Sequence, residues 1–281
     1  MPIESLSTGV DLYYESHGKG EPLVLIPSTA FSGDVWLSDQ VPELSKSFNV
    51  IIHDPRGVGR STHAGGVYTI DLMANDVVAL MDHLGISLAH VLGHSMGGRI
   101  ALYMAQNFPG RVKSLIMAAS GSGPAARSGP DCVPGMPHRL IVEMVEMGFE
   151  KYVHHEICGS DTFFTSDFRQ RCPDRVEAFY KELWPTHAKL SEYIKLCIAR
   201  STWEGTHRLG DVKVPTLVVV GDRDEGGSSH VAQAEVLAKR IPGAELKILR
   251  GQSHGFFWQA PEETNALIFE WVQKHGGRSP N

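Results

Sequence analysis

Cysteine is scarce in this sequence, with four among 281 residues. No two of them form a C-x-x-C pair, and their spacings match no common zinc site. We therefore expect free thiols in a reducing compartment rather than a disulfide framework or a metal centre. The four residues are Cys132, Cys158, Cys172 and Cys197.

Basic residues are fewer than acidic ones. The sequence has 26 Lys and Arg and 32 Asp and Glu, which gives a formal net charge of −6. A surface of this sign does not favour nucleic acid or an anionic membrane as a partner. No apolar run approaches the length of about 20 residues that spans a bilayer. The segment Met1–Ser5 lacks the basic and apolar regions of a secretory signal.

These absences predict a cytoplasmic protein whose partner is a small-molecule substrate. They predict neither a nucleic-acid nor a membrane partner. The histidines include the adjacent His154 and His155, but no H-x-x-x-H sequence with a nearby acid forms a convincing metal set, so we expect no metal and no cofactor. The oligomeric state stays open, and a homodimer is compatible with the sequence.

Apolar runs and helical periodicity alternate over much of the chain, which is typical of a mostly parallel sheet covered by helices. The run 10–15 alternates polar and apolar residues, as a half-buried antiparallel edge strand does, and Gly18–Gly20 would form the following turn. Further strands are predicted at 22–27, 48–53, 91–92, 112–118, 215–220 and 245–249, and helices at 70–84, after residue 95, at 229–240 and at 262–275.

The alternation stops between residues 122 and 210. Glycine and proline dominate 122–136, and helical patterns follow near 137–150, 173–184 and 188–200. We therefore predict an α/β core formed by residues 1–121 and 211–281. A helical lid, residues 122–210, would be inserted into that core.

The sequence Gly93-His94-Ser95-Met96-Gly97 lies between an apolar strand and an apolar-periodic helix. This context is the one that a nucleophile elbow requires. A turn tight enough to strain the backbone of Ser95 would leave no room for side chains at the two glycines. The hydroxyl of Ser95 would then lie at a helix N-terminus, where developing negative charge is favoured.

A second G-x-S-x-G sequence surrounds Ser253. It lies so late in the chain that no acid and histidine can follow it, and residues 256–261 show no immediate helix start. We therefore predict that Ser95, and not Ser253, is the nucleophile.

A serine nucleophile needs a base, and the base needs an orienting acid. His254 follows the last predicted strand closely, so it would lie at the carboxyl edge of the sheet, where open α/β folds bind ligands. Asp222 and Asp224 follow the strand before it. Asp224 lies far enough beyond its strand to reach over the edge, and Asp222 is its competitor.

Four motifs together resemble the α/β-hydrolase superfamily, in the group of small lidded esterases, 3-oxoadipate enol-lactonases and cofactor-free haloperoxidases. They are Asp54-Pro55-Arg56-Gly57-Val58-Gly59-Arg60-Ser61, the elbow, Gly221-x-x-Asp224 and Gly251-x-x-His254. The resemblance implies an α/β-hydrolase fold, with an eight-stranded, mostly parallel sheet. It favours Asp224 over Asp222 as the acid of a Ser95–His254–Asp224 triad.

One departure from the family pattern concerns the oxyanion hole. Pro27 and Ser28 stand where relatives usually carry His-Gly, much as a serine-containing sequence does in the enol-lactonase branch. By resemblance, the backbone N–H groups of Thr29 and Met96 would hold the oxyanion. Since backbone groups make this contact, the changed side chains do not exclude the site.

The favoured function is a serine hydrolase acting on a small carboxylic ester or lactone. A carbon–carbon bond hydrolase or a cofactor-free haloperoxidase is the alternative within the same fold, and a non-catalytic lidded ligand receptor is the alternative outside enzymes. We interpret His94 as a structural, hydrogen-bonded histidine. Asp54 and Arg56 are interpreted as an ion pair internal to their turn rather than as ligands of an anionic substrate.

Overall fold

The computed structural model describes residues 3–62, 65–124, 138–224 and 230–277. They contain one eight-stranded sheet with the strand order β1-β2-β4-β3-β5-β6-β7-β8. The strands are β1 Ile3–Ser5, β2 Asp11–His17, β3 Glu21–Ile26, β4 Phe48–His53, β5 Ala89–His94, β6 Val112–Ala118, β7 Thr216–Gly221 and β8 Glu245–Leu249.

The sheet is antiparallel only at its N-terminal end. β1 pairs antiparallel with β2, and β2 pairs antiparallel with β4, whereas every later pairing is parallel. The expected antiparallel strand is therefore present, but the expectation that it forms the edge is wrong. The three-residue β1 covers it, and so short a strand leaves too little periodicity to be read from the sequence.

The central strand β3 is buried on both faces. Leu23 and Leu25 belong to the apolar cluster that also contains residues of the C-terminal helix, whereas Val24 and Ile26 belong to the cluster on the opposite face. A continuous apolar run is what a strand covered on both sides needs. The mostly parallel α/β architecture is thus confirmed.

Helices of the core cover both faces of the sheet. They are α1 Gln40–Leu44, α2 Ile70–His83, α3 Met96–Asn107, α9 His230–Arg240, α10 Phe256–Gln259 and α11 Pro261–His275. The structure matches the predicted helices to within a few residues, but residue 229 lies outside the described part. The short α10 begins directly after Gly255, so the expectation that no helix starts there is wrong.

The stretch between β6 and β7 is helical in its described part. It contains α4 His138–Met147, α5 Phe149–His154, α6 Ser166–Arg171, α7 Pro173–Leu183 and α8 Leu190–Thr202. The single helix expected over 137–150 is divided at Gly148, whose φ of 83° breaks the helical path. A π-helical turn, His155–Gly159, follows α5.

The three cysteines that the structure describes are free thiols, as expected, and Cys132 lies outside the described residues. Among the described helices, none combines the length and apolar character that a membrane crossing requires.

A buried ion pair links the turn after β4 to α2. Arg56 donates to Asp76 through Nε, at 2.9 Å, and through Nη2, at 2.6 Å. The expected ion pair internal to the turn is present, but it joins Asp54 to Arg60, at 2.8 Å. The inclusion of Arg56 in that pair is wrong. Arg56 and Asp76 are separated widely in sequence, so only the packed helix brings them together.

Replacing Asp76 by alanine should lower the free energy of unfolding by about 3–5 kcal/mol, because it leaves the guanidinium of Arg56 buried without its partner. Urea unfolding measures this loss. The double variant Arg56→Met, Asp76→Leu should be more stable than Asp76→Ala, since neither charge then remains. Lys46→Ala, which breaks an exposed pair with Glu43, is the control and should change stability little.

Candidate active site

Ser95 lies between β5 and α3 with φ 56° and ψ −113°, a strained conformation for a residue with a side chain. A Cβ atom on Gly93 would come within 2.1 Å of the carbonyl oxygen of Gly97, and one on Gly97 within 2.3 Å of the carbonyl oxygen of Ile26. The turn therefore needs glycine at both positions. It also packs directly against the end of β3.

His254 and Asp224 come together at the same edge of the sheet. The Nδ1 atom of His254 lies 2.9 Å from Oδ2 of Asp224. Asp222 instead accepts a hydrogen bond from the N–H of Gly251 at 2.7 Å. Asp224 is therefore the carboxylate that orients His254, and Asp222 shapes the loop that precedes it.

The carboxylate of Asp224 has a second partner, His230, that the sequence analysis missed. Nδ1 of His230 lies 2.8 Å from Oδ1 of Asp224, so each carboxylate oxygen has its own imidazole. Residues 225–229, which connect the two, lie outside the described part. His230 stands at the first turn of α9, and a histidine at that place carries no motif that spacing alone reveals.

These partners set the charge of the carboxylate. Burial by itself raises the pKa of Asp224, but the charges and hydrogen bonds of His254 and His230 outweigh burial and hold that pKa well below its usual range. Burial also lowers the pKa of His230, against the opposing effect of Asp224. Asp224 is thus ionised at neutral pH.

His94 is buried and structural, as expected. Its Nε2–H donates to the carbonyl oxygen of His254 at 2.9 Å, and the two ring centroids lie 4.8 Å apart. Burial, followed by the positive charge of His254, lowers the pKa of His94 well below its usual value. The residue next to Ser95 therefore fixes the backbone of His254 beside the elbow.

The loop after β3 carries Thr29, one of the two expected oxyanion residues. Thr29 is buried, and in the described part of the chain its N–H donates no hydrogen bond. The next residue, Ala30, has φ 67°, so the loop is strained as the elbow is. Met96, the other expected residue, is the first residue of α3, whose N–H has no partner within the helix.

Ser253, the rival serine, is fully buried and structural. Its hydroxyl lies 2.5 Å from the carbonyl oxygen of Phe163 and 2.5 Å from Oε1 of Gln259. The aromatic ring of Phe163 faces His254, with centroids 6.0 Å apart. The surroundings of His254 are therefore apolar on that side.

Two groups of described side chains place possible metal-ligand atoms within 4.8 Å of one another. One consists of Asp224, His230 and His254, whose contacts the hydrogen bonds above already explain. The other consists of His154, Cys158 and Glu177. His154 and Cys158 are only four residues apart, but Glu177 of α7 joins them only through packing, so local spacing does not reveal the complete set.

The chain is similar to known proteins over most of its length. A sequence profile described as alpha/beta hydrolase fold matches residues 21–261. A non-heme haloperoxidase of Rhodococcus erythropolis is 28% identical, over 97% of this chain and 100% of the relative. A putative carbamate hydrolase RutD of Caulobacter sp. (strain K31) is 29% identical, over 93% of this chain and 95% of the relative.

Among solved structures, the enol-lactonase of Burkholderia xenovorans LB400 is similar to this chain, with a TM-score of 0.82 and 26% identity. The similarity covers 97% of this chain and 100% of the enol-lactonase.

Buried histidines predict a loss of stability in acid. Burial lowers the pKa of His53 to about 4, whereas an unfolded histidine has a pKa of about 6.5. Between these values the unfolded chain binds more protons, so stability present above about pH 6.5 is lost as the pH falls toward about 4. His53 alone should contribute about 3 kcal/mol to this loss.

Urea unfolding between pH 4 and pH 7 measures how the free energy of unfolding depends on pH. The variant His53→Gln should reduce the slope of this dependence. His154→Gln, at a partly exposed site, is the control and should keep the slope of the natural protein. An equal slope in His53→Gln would contradict the assignment.

Proposed function

The chain belongs to the α/β-hydrolase fold family, and from that premise we propose that it is a serine hydrolase that cleaves a small carboxylic ester or lactone through an acyl-enzyme. Ser95 is the nucleophile, His254 the base and Asp224 the acid that orients it. The N–H groups of Thr29 and Met96 form the oxyanion hole.

The observation that carries the proposal is the hydrogen bond between His254 and Asp224 beside the elbow. This bond uses Nδ1 of His254 and therefore leaves Nε2 as the basic nitrogen. His94, the residue before Ser95, donates a hydrogen bond to the carbonyl oxygen of His254. The proposed base and nucleophile therefore belong to one rigid arrangement. A serine triad needs this arrangement, in which the acid binds Nδ1 of the histidine and Nε2 remains to accept the proton of the serine.

In the first half of the reaction, the hydroxyl oxygen of Ser95 attacks the carbonyl carbon while Nε2 of His254 takes its proton. The charge that develops on the carbonyl oxygen is stabilised by the two oxyanion N–H groups. One such donor contributes about 3–4 kcal/mol of transition-state stabilisation. His254 then gives its proton to the leaving alkoxide, and the acyl group remains on Ser95.

In the second half, a water molecule gives a proton to Nε2 of His254 and attacks the acyl carbon. The tetrahedral intermediate collapses, the bond to Ser95 breaks, and the serine oxygen recovers its proton from His254. The carboxylate of Asp224 holds the imidazolium that forms in both halves, and its strongly lowered pKa keeps it ionised throughout.

Residues 122–210 act as the lid of this active site, and residues 1–121 and 211–281 form the core. Three hydrogen bonds support this division. The N–H of Ala188 donates to the carbonyl oxygen of Ala30, and the N–H of Gly255 donates to the carbonyl oxygen of Phe163. The hydroxyls of Ser32 and Thr186 form the third. Each contact joins the helical segment to a loop at the carboxyl edge of the sheet.

The similarity to an enol-lactonase supports a lactone or ester as substrate, and the similarity to a non-heme haloperoxidase supports the second candidate. A haloperoxidase would use the same acyl-enzyme but intercept it with peroxide instead of water. Product analysis with acetate, peroxide and bromide separates the two activities. The cytoplasmic location and a homodimer stay predictions of the sequence.

Ser95→Ala should reduce the hydrolysis of p-nitrophenyl butyrate by at least about 10³-fold, because no nucleophile remains. A fluorophosphonate reagent should modify the natural protein once, at Ser95, as mass spectrometry of the digested protein will show. Ser253→Ala is the control, and it should still be modified at Ser95 although it loses two structural hydrogen bonds. Undiminished turnover in Ser95→Ala would exclude this mechanism.

His230→Leu removes one of the two hydrogen bonds to the carboxylate of Asp224. We expect kcat to fall roughly tenfold with KM nearly unchanged, since a hydrogen bond to a charged group contributes about 1.5–3 kcal/mol. His230→Asn supplies an amide donor and should recover part of the loss. Steady-state kinetics of the natural protein and the two variants measures this effect, and thermal unfolding confirms that each is folded. A kcat of His230→Leu equal to that of the natural protein would refute this role.

A further inference from the structure

The helical segment between β6 and β7 brings a histidine, a cysteine and a glutamate together outside the proposed triad. His154 ends α5, Cys158 lies in the π-helical turn that follows it, and Glu177 lies in α7. Each residue offers one possible metal-ligand atom, and these three atoms lie within 4.8 Å of one another. None of the three takes part in the proposed hydrolysis.

The backbone holds these three side chains on facing sides of two packed segments. His154 and Cys158 are four residues apart, a spacing that places two side chains on one face of a helix. Ile157 of the π-helical turn and Val176 of α7 are buried in one apolar cluster. Because this packing joins the turn to α7, the three side chains meet without help from a bound ion.

The contacts that the three side chains already make do not account for their position. Nε2 of His154 lies 3.1 Å from Oε1 of Glu177, but both side chains are 44% exposed, and such a pair stabilises a fold little. The thiol of Cys158 lies 3.9 Å from the carbonyl oxygen of Val176, and a thiol is a weak donor. All three groups are therefore available to a further partner.

The charges around this cluster favour a cation. Burial, followed by the negative charge of Glu177, raises the pKa of the Cys158 thiol to about 12, and Arg169 opposes this effect. The positive charge of Arg169 is itself balanced by Asp161, at 2.5 Å. One carboxylate and one neutral thiol thus face each other, and the carboxylate attracts a positive ion.

Two neighbours fix the orientation of the possible ligands. The rings of Tyr180 and His154 meet edge to face, with centroids 4.7 Å apart and an angle of 84° between their planes. Arg169 donates to the carbonyl oxygen of Cys158 at 3.5 Å, which holds the backbone of the π-helical turn. Supporting contacts orient the ligands of metal sites in the same way.

We propose that His154, Cys158 and Glu177 form a zinc site that ties the end of α5 to α7. This inference is independent of the proposed hydrolase activity, and it departs from the sequence-based expectation of no metal. An imidazole nitrogen, a thiolate sulfur and a carboxylate oxygen would fill three positions of a tetrahedron, with water in the fourth. On binding, the S–H bond of Cys158 breaks, its proton passes to solvent, and the sulfur bonds the zinc ion.

The donor types and their separations favour zinc over other divalent ions. Zinc binds these three donors at about 2.0–2.3 Å, so neighbouring donors in a tetrahedron are about 3.3–3.6 Å apart. The 3.1 Å between His154 and Glu177 is close to this value. The outer limit of 4.8 Å needs only a rotation of partly exposed side chains. Magnesium and calcium, in contrast, prefer oxygen ligands.

Titration of the metal-free protein with zinc chloride, followed by calorimetry on a chain without a histidine tag, tests the site. One zinc ion should bind per chain. Cys158→Ser and His154→Gln should each weaken binding by at least about 100-fold, since loss of a supporting residue alone costs about 10- to 100-fold. Cys172→Ser is the matched control, because it removes another partly buried free thiol of the same segment, and it should bind zinc as the natural protein does.

Cobalt(II) reports the identity of the ligands. The natural protein should show the visible bands of a tetrahedral cobalt ion and the near-ultraviolet charge-transfer band of a cobalt–thiolate bond. Cys172→Ser should keep the charge-transfer band, and Cys158→Ser should lose it. A cobalt spectrum without this band in the natural protein would overturn the proposal.

Asp224, His230 and His254 are the other described group of possible ligands, and His230→Asn distinguishes the two. Zinc should raise the melting temperature of the natural protein and of His230→Asn, but not that of Cys158→Ser. The melting temperatures in EDTA show that each variant is folded, and His154→Gln, at a partly exposed position, gives the same test if Cys158→Ser is not. No zinc binding in the natural protein, undiminished binding in the folded variants of the site, or loss of binding in His230→Asn would overturn the proposal.

Discussion

The close backbone approach at Ser95 is the constraint on which the site depends. β5 must turn into α3 within one strained residue, and that turn packs against the end of β3 because Gly93 and Gly97 carry no side chains. The same contact brings the loop with Thr29 to the elbow. A strained turn persists only where its surroundings over-determine it, and here the fully buried β5 and the buried end of β3 supply that support.

Around the turn, charge is distributed unevenly. Asp224 is the buried anion, and His230 and His254 hold its two oxygens. On the other side, Arg200 presents a cation without a carboxylate partner among the described residues. The two sides of the turn therefore carry charges of opposite sign.

Much of this arrangement was predictable because it depends on short-range patterns. Continuous apolar runs fixed which strands are covered on both faces, and the glycines around Ser95 marked the turn. The edge strand β1 was missed because three residues carry no period. The helix after Gly255 was missed because four residues are too few to show a helical period. The partner of Arg56 was wrong because Asp76 approaches it only when α2 packs on the sheet.

The amino-acid sequence by itself determined the α/β class, the position of the elbow and the chain order of Ser95, an aspartate and His254. The tertiary structure decided which of two aspartates meets His254, that His230 shares the carboxylate, and that Arg200 reaches Thr29 from α8. The reason is physical: local sequence sets backbone conformation and burial, whereas contacts between distant segments depend on how the helices dock at the sheet edge, which no short pattern encodes.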